Sequence, residues 1–189
     1  RFVDFISPHG ALTCTDYEPL HRWSVQNPEE FWRAVWSFCA VRGEAGQRVL
    51  LHAEQMPGAR WFPDARLNFA ENLLRRNDDG DAIVSWTEDG LQRRLSWREL
   101  RTEVAEVAAG LQRAGVQPGD RVAAYMPNVA ETVVAMLAAA SIGATWASCS
   151  PDFGVDEVVE RLAQIEPKVL FVCDAYRAGG ARVDIAGKV

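Results

Sequence analysis

The sequence predicts an α/β fold, a parallel βαβ sheet flanked by helices and preceded by a mostly helical lead-in. Three observations predict it. From residue 97 onward the patterns run helix, strand, helix, strand, helix, strand, an alternation that implies a parallel sheet with right-handed crossovers. Residues 129–142 have helical spacing and are apolar almost all round (Val129, Val133, Val134, Met136, Leu137), which suits a helix covered on several sides. Residues 137–174 join a small-residue helix ending at Gly143 to a short strand and the turn Ser150-Pro151-Asp152-Phe153-Gly154. An amphipathic helix then leads to a β-rich run at 168–173.

The chain divides on composition into a lead-in over residues 1–66, rich in tryptophan and proline, and an α/β part over 67–189. In the lead-in, Asn27-Pro28-Glu29-Glu30 reads as a helix start, with an N-cap, a proline at the first helical position and acids after it. Trp32, Val35, Trp36 and Cys39 follow on one apolar face. Such an aromatic stripe reads as core packing rather than as a cofactor box. A second, short helix is expected to start near Asn68 and to carry Phe69, Leu73 and Leu74.

Residues 82–97 alternate, with Asp89-Gly90 between two β-rich runs, 82–87 and 91–97, which signals a hairpin. Ser96-x-x-Glu99 is a capping box ahead of Leu100, Val104, Val107, Ala108 and Leu111. Gly115 ends that helix, and Pro118-Gly119-Asp120 turns the chain into a strand over 121–126. Asn128, with Glu131 three positions on, is expected to cap the next helix.

Bulk properties narrow the function classes. With 189 residues and 48% hydrophobic composition the chain supports one core, or one and a half domains. A net charge of −6 with no basic stripe argues against nucleic acid as a partner. Asp4, Asp16 and Glu18 interrupt any apolar leader, and no uncharged apolar run reaches the roughly 18 residues of a span, so no membrane span is expected. Cys14, Cys39, Cys149 and Cys173 form no CxxC pair and read as reduced, buried thiols of a cytoplasmic protein. His9, His21 and His52 lie too far apart for a local metal motif, and no metal ligand is assigned.

The chain starts at Arg1 and stops at Val189 just after an apparent loop, and so reads as a piece of something longer. A helix as apolar as 129–142 and an unfinished sheet look made to be covered by more chain. Produced alone, the segment is expected to aggregate.

Phosphate and nucleophile motifs are absent: no GxGxxG, no GxxxxGK[ST], no GxSxG. Ser148 and Ser150 flank Cys149 without a nearby histidine and read as scaffold. Arg177-Ala178-Gly179-Gly180 is more suggestive. It follows a strand end, where open α/β sheets bind ligands. Glycines admit a phosphate close to the backbone, and arginine forks onto its oxygens. An ordinary flexible surface loop is the competing reading.

Several passages resemble one family. Leu95-Ser96-Trp97-Arg98-Glu99-Leu100 resembles the first core motif of the adenylate-forming superfamily of acyl-CoA synthetases, luciferases and adenylation domains, and residues 137–152 resemble the second. Gly119-Asp120-Arg121-Val122-Ala123 and Tyr125-Met126-Pro127-Asn128 match its spacer. Within the superfamily, three stretches are similar to the acetoacetyl-CoA synthetases. They are Trp61-Phe62-Pro63 with Arg66-Leu67-Asn68-Phe69-Ala70-Glu71-Asn72-Leu73-Leu74, the turn Ser150 to Gly154, and the region 23–36. Acetyl-CoA synthetases usually carry Phe-Gly-Gly-Phe where this chain has Ser150 to Phe153.

The resemblance implies that 67–189 is the first, incomplete part of the AMP-binding large domain, behind a helical lead-in typical of short-chain acyl-CoA synthetases. It implies a two-step ligase in which ATP and acetoacetate give an acyl-adenylate, and CoA then takes the acyl group, with Mg²⁺ serving the ATP phosphates. It places the phosphate loop, the adenine and ribose motifs and the catalytic lysine outside this chain, so no residue here is assigned a catalytic role and the segment alone is expected to be inactive. One ligand contact carries over. Acetyl-CoA synthetases hold the CoA nucleotide phosphate with Arg-Ala-Gly-Arg at this point. Here Arg177, Ala178 and Gly179 match, and Gly180 replaces the second arginine. A synthetase for another short or branched acid, and a non-catalytic binding module, remain as alternatives.

Overall fold

The computed structural model describes residues 1–7 and 16–188, so His9 and Cys14 lie outside the described residues. The chain forms two compact units, Arg1–Leu67 and Asn68–Val189.

The first unit contains helices α1 (Phe2–Ile6), α2 (Tyr17–Gln26) and α3 (Pro28–Phe38), then a short antiparallel pair, β1 (Leu50–Leu51) and β2 (Arg60–Trp61). Aromatic contacts hold it: Phe31 meets Phe2 and Trp23 edge-on at 5.8 Å each, and Trp36 meets Phe62 at 5.0 Å in a tilted pair. Pro28 opens α3 as expected, but Asn27 does not cap it. Its Nδ2 turns back to donate to the Trp23 carbonyl at 3.4 Å, closing the end of α2 instead. The expected apolar face is also rotated. Val35 and Trp36 are half-buried, whereas Trp32 and Cys39 are exposed and Phe31 takes the inward place between α1 and α2.

The second unit opens with α4 (Phe69–Leu73), capped as expected by Asn68, whose Oδ1 accepts from the Glu71 amide at 3.0 Å. The hairpin β3 (Asp81–Thr87) and β4 (Gly90–Ser96) follows. Thr87 pairs with Gly90, so the turn residues are Glu88 and Asp89 rather than Asp89 and Gly90, and Gly90 opens β4 at φ +95°. Trp97 leaves the strand to start α5 (Trp97–Arg113), because Ser96 is committed to the capping box with Glu99, which is present in both directions.

Next come β5 (Arg121–Tyr125), α6 (Ala130–Ser141), β6 (Thr145–Cys149), α7 (Val155–Ala163) and β7 (Val169–Val172), then the hairpin β8 (Ala175–Ala178) and β9 (Ala181–Asp184). The cap expected at Asn128 is not formed. The Val129 amide bonds the Pro127 carbonyl at 3.0 Å, and Val129 becomes the N-cap of a helix that starts at Ala130. Glu131, freed from capping, pairs with Arg93 at 2.6 Å.

The parallel sheet has the order β6–β5–β7, with Ala123 opposite Ala147 and Leu170. Successive strand residues point to opposite faces. Val122 accordingly joins one core with Leu100, Val104, Val134 and Leu137, while Ala123 and Tyr125 join another with Val158, Leu162 and Ile185. Helices α5 and α6 therefore cover one face and α7 the other. The expectation that α6 lacks a partner layer is corrected: α5 and α4 pack on it, and Ala138 and Ala139 are fully buried. Exposed apolar side chains on the other side of the sheet include Val155, Val159, Leu170 and Val172. Cys149 is buried and Cys173 partly so, but Cys39 is exposed, against the expectation of buried thiols. Among the described residues no helix is long and apolar enough to cross a membrane.

Candidate functional site

The crossover from β5 runs over one face of the sheet to β6, and the crossover from β6 runs over the other to β7. The connections diverge beyond the carboxyl ends of β5 and β6, and such a switch point is where open α/β sheets take ligands. The turn at that point is Ser150 to Gly154. Tyr125, the last residue of β5, is buried, and its hydroxyl lies 3.0 Å from the Pro151 carbonyl and 2.9 Å from that of Phe153. The Asp152 carboxylate accepts from the Tyr176 hydroxyl at 2.7 Å and from Ser150 Oγ at 2.8 Å. Those two bonds, Tyr176 foremost, hold the Asp152 carboxyl below the usual carboxylate range. The same bond pushes the Tyr176 phenol up. The Arg161 guanidinium sits 4.7 Å above the Phe153 ring.

Ser150 braces the turn through its bond to the Asp152 carboxylate. Beside the turn, Tyr125, Val158, Leu162, Leu170, Glu166 and Lys188 are among the residues that line a groove of 320 Å³. Its surface is mostly apolar.

Tyr176 stands on β8, one residue before Arg177. The segment expected as an Arg-Ala-Gly-Gly loop is a tight hairpin: Arg177 and Ala178 are paired in β8, opposite Arg182 and Ala181, and Gly179 and Gly180 make the turn. Their φ values of +59° and +76° are what a two-residue turn with both central residues left-handed requires. A Cβ at either position would meet nothing within 4 Å, so backbone conformation and not crowding calls for glycine.

Both turn amides point at one carboxylate. Gly179 N–H donates to Glu88 Oε1 at 2.9 Å and Gly180 N–H to Glu88 Oε2 at 2.5 Å. Beside it, Arg177 Nε pairs with Asp89 Oδ2 at 2.9 Å. The Gly180 amide, then that of Gly179, holds the Glu88 carboxyl below its usual range, and the Arg177 charge adds to this. Sequence reasoning singled out the Arg177 to Gly180 segment but not Glu88, Asp89 or Tyr176 as its neighbours. The Gly-Gly pair between short alternating runs was a usable hairpin signal. Nothing local pointed to Glu88, which lies 91 residues from Gly179.

The arrangement is a small anion-holding tip: two convergent amides and an adjoining guanidinium, mounted on a hairpin whose base is tied to the switch-point turn. Its donors suit a carboxylate or a phosphate.

Comparison with known proteins gives the relationship. Residues 69–187 match the model described as AMP-binding enzyme, and residues 17–73 match the acetyl-coenzyme A synthetase N-terminus. The acetoacetyl-coenzyme A synthetase of Rhizobium meliloti (strain 1021) is 48% identical over 189 residues, which is 100% of this chain and 29% of that protein. The malonamoyl-CoA synthetase of Penicillium aethiopicum is 41% identical over 187 residues, covering 95% of this chain and 26% of the relative. The solved acetoacetyl-CoA synthetase from Streptomyces lividans superposes with a TM-score of 0.91 at 44% identity, over 100% of this chain and 30% of its own. The chain thus spans less than a third of the length of these relatives.

Proposed function

Because the chain belongs to the AMP-binding enzyme family, we propose that it serves as the N-terminal part of an AMP-forming acetoacetate–CoA ligase. In this reading residues 1–66 are the lead-in and 67–189 the first part of the AMP-binding domain. The complete protein condenses acetoacetate with ATP to an acyl-adenylate and pyrophosphate, then exchanges AMP for the CoA thiol. Mg²⁺, held with the ATP phosphates, offsets their charge. The work is placed in the cytoplasm. The observation that carries the substrate is the match along the whole chain to acetoacetyl-CoA synthetases, at 48% and 44% identity in two cases.

This segment's own part is structural and CoA-facing. The sheet and its switch-point turn form scaffold, and the β8–β9 tip receives the CoA nucleotide phosphate through Arg177 and the amides of Gly179 and Gly180, with Ala178 holding the strand beside them. The donor set fits: a phosphate takes bidentate and amide hydrogen bonds from this kind of cradle. Gly180 in place of a second arginine leaves one guanidinium to supply the charge. No catalytic group is assigned to residues 1–189, and the segment alone is expected to release no pyrophosphate.

The malonamoyl-CoA relative favours a second reading of the substrate. Malonamate and acetoacetate are both short acids with a carbonyl at the third carbon, so the pocket in the complete protein would select that feature. Pyrophosphate release by the full-length protein, measured with acetoacetate, malonamate, acetate and a branched acid, decides. Acetoacetate should give the highest kcat/KM. A preference for malonamate selects the second reading, and a large preference for acetate or the branched acid overturns both.

A further inference from the structure

We propose that the Glu88–Asp89 turn is a built-in competitor for the phosphate that the β8–β9 tip receives, so that CoA binds only as this turn lets go. The inference rests on the reading of Arg177 to Gly180 as a CoA contact, and it assigns the two acidic residues that reading leaves unexplained.

The geometry is that of a site already filled. Each Glu88 oxygen takes one turn amide, at 2.9 and 2.5 Å, so both convergent donors are used by a carboxylate. Asp89 engages the neighbouring arginine at Nε. An incoming phosphate needs the same two amides, and neither amide can serve two anions at once; at Arg177 it competes with Asp89 for Nε. Glu88 and Asp89 together thus stand where a dianion would stand.

The clasp is built to open. Each of its halves is a separate two-stranded sheet, β3–β4 and β8–β9, and among the described residues neither is hydrogen-bonded into the parallel sheet. The two meet at their turns, where Glu88, Asp89, Gly179 and Gly180 are all exposed. Exposed ion pairs are weak, while a phosphate near −2 bound through arginine and amides is among the stronger surface contacts. The ligand therefore displaces the turn, and the turn lowers apparent affinity by the free energy of opening. Exchange of like for like also excludes weaker anions from the tip.

The opposite role, a clasp that merely holds the tip in shape, makes the opposite prediction. In the full-length protein, KM for CoA and for dephospho-CoA, which lacks the 3′-phosphate, should be measured for E88A, E88Q and R177A. Each variant is referred to its own acetoacetate-dependent ATP–pyrophosphate exchange, which reports folding without CoA. The competitor predicts that E88A and E88Q lower KM for CoA by about threefold, the scale of an exposed ion pair, with a smaller change for dephospho-CoA. R177A should raise KM for CoA. If R177A raises it and the Glu88 variants raise it too, or leave it unchanged, the competitor is overturned and the CoA contact stands. If R177A changes nothing, the CoA contact itself fails and the competitor fails with it.

Discussion

The Tyr176 hydroxyl donates to Asp152 Oδ1 at 2.7 Å, tying the first strand of the β8–β9 hairpin to the turn that follows β6. Ser150 Oγ takes the other carboxylate oxygen, so one side chain joins the switch-point turn to the strand that carries Arg177. Among the described residues the hairpin has no hydrogen-bonded neighbour strand, so this tie and the packing around the fully buried Ile185 seat its base. Tyr176→Phe keeps the ring and removes the tie. The expected outcome in the full-length protein is faster amide exchange across residues 175–184, severalfold relative to the parallel strands, with the thermal midpoint little changed. Exchange unaltered in that window would show that packing alone seats the hairpin.

Tyr125 presents a different case because its hydroxyl is buried beneath the same turn. Tyr125→Phe leaves the carbonyls of Pro151 and Phe153 without their donor, at 3.0 and 2.9 Å in the native chain. Loss of a buried partner costs about 1–3 kcal/mol. The expected result is a lower unfolding midpoint together with loss of exchange protection around residues 150–154.

How far the sequence revealed these relationships depends on their reach along the chain. The capping box at Ser96 and Glu99 and the cap at Asn68 were legible because donor and acceptor lie three residues apart. The α/β alternation was legible because each helix and strand carries its own period. Asn27 and Asn128 misled for one reason: a side chain with several possible partners was assigned to the nearest, whereas Asn27 closes the preceding helix and the turn at Pro127 delays the next. The contacts of the candidate site were out of reach altogether. Tyr176 meets Asp152 across 24 residues and Glu88 meets Gly180 across 92, and no local rule selects such partners.

Acid stability should expose a second tie. The Asp120 carboxylate accepts from the Gln117 amide at 2.8 Å and from Lys168 Nζ at 2.9 Å, joining the entries of β5 and β7. The amide bond first, and Lys168 after it, hold the Asp120 carboxyl below its usual range. Asp152 and Glu88 are lowered too. A carboxyl whose folded pKa is depressed adds stability that is complete above its unfolded pKa, near 4, and is lost as pH falls through the lower folded value. Urea midpoints of the full-length protein should therefore fall steeply below about pH 4. Asp120→Asn should be less stable at neutral pH and show a shallower acid limb. A parallel curve displaced by a constant would refute the linkage.

Small residues on α6 set a limit on what the core accepts. Ala138 and Ala139 are fully buried where α5, α4 and β6 close on the helix. Ala139→Leu adds three carbons to space already filled, and overpacking of this kind costs about 1–3 kcal/mol. A reduced thermal midpoint is expected, and an unchanged one would mean that the contact is looser than drawn.

The turn glycines allow conformation to be separated from contact. Gly180 sits at φ +76° with open space where a Cβ would go, so Gly180→Ala meets no atom and suffers only the left-handed backbone. That strain costs about 1 kcal/mol or somewhat more, and asparagine, which tolerates the same region, should cost less. Amide exchange in residues 175–184 of the full-length protein should rank native slowest, Gly180→Asn next and Gly180→Ala fastest. The variants keep the Gly180 amide donor, so KM for CoA should follow the same ranking if tip geometry governs binding. Gly180→Arg combines the strain of alanine with an added charge. An arginine variant that binds CoA more tightly than alanine would show that charge at this position offsets a strained backbone, and equal affinities would show that the amides and Arg177 already satisfy the phosphate.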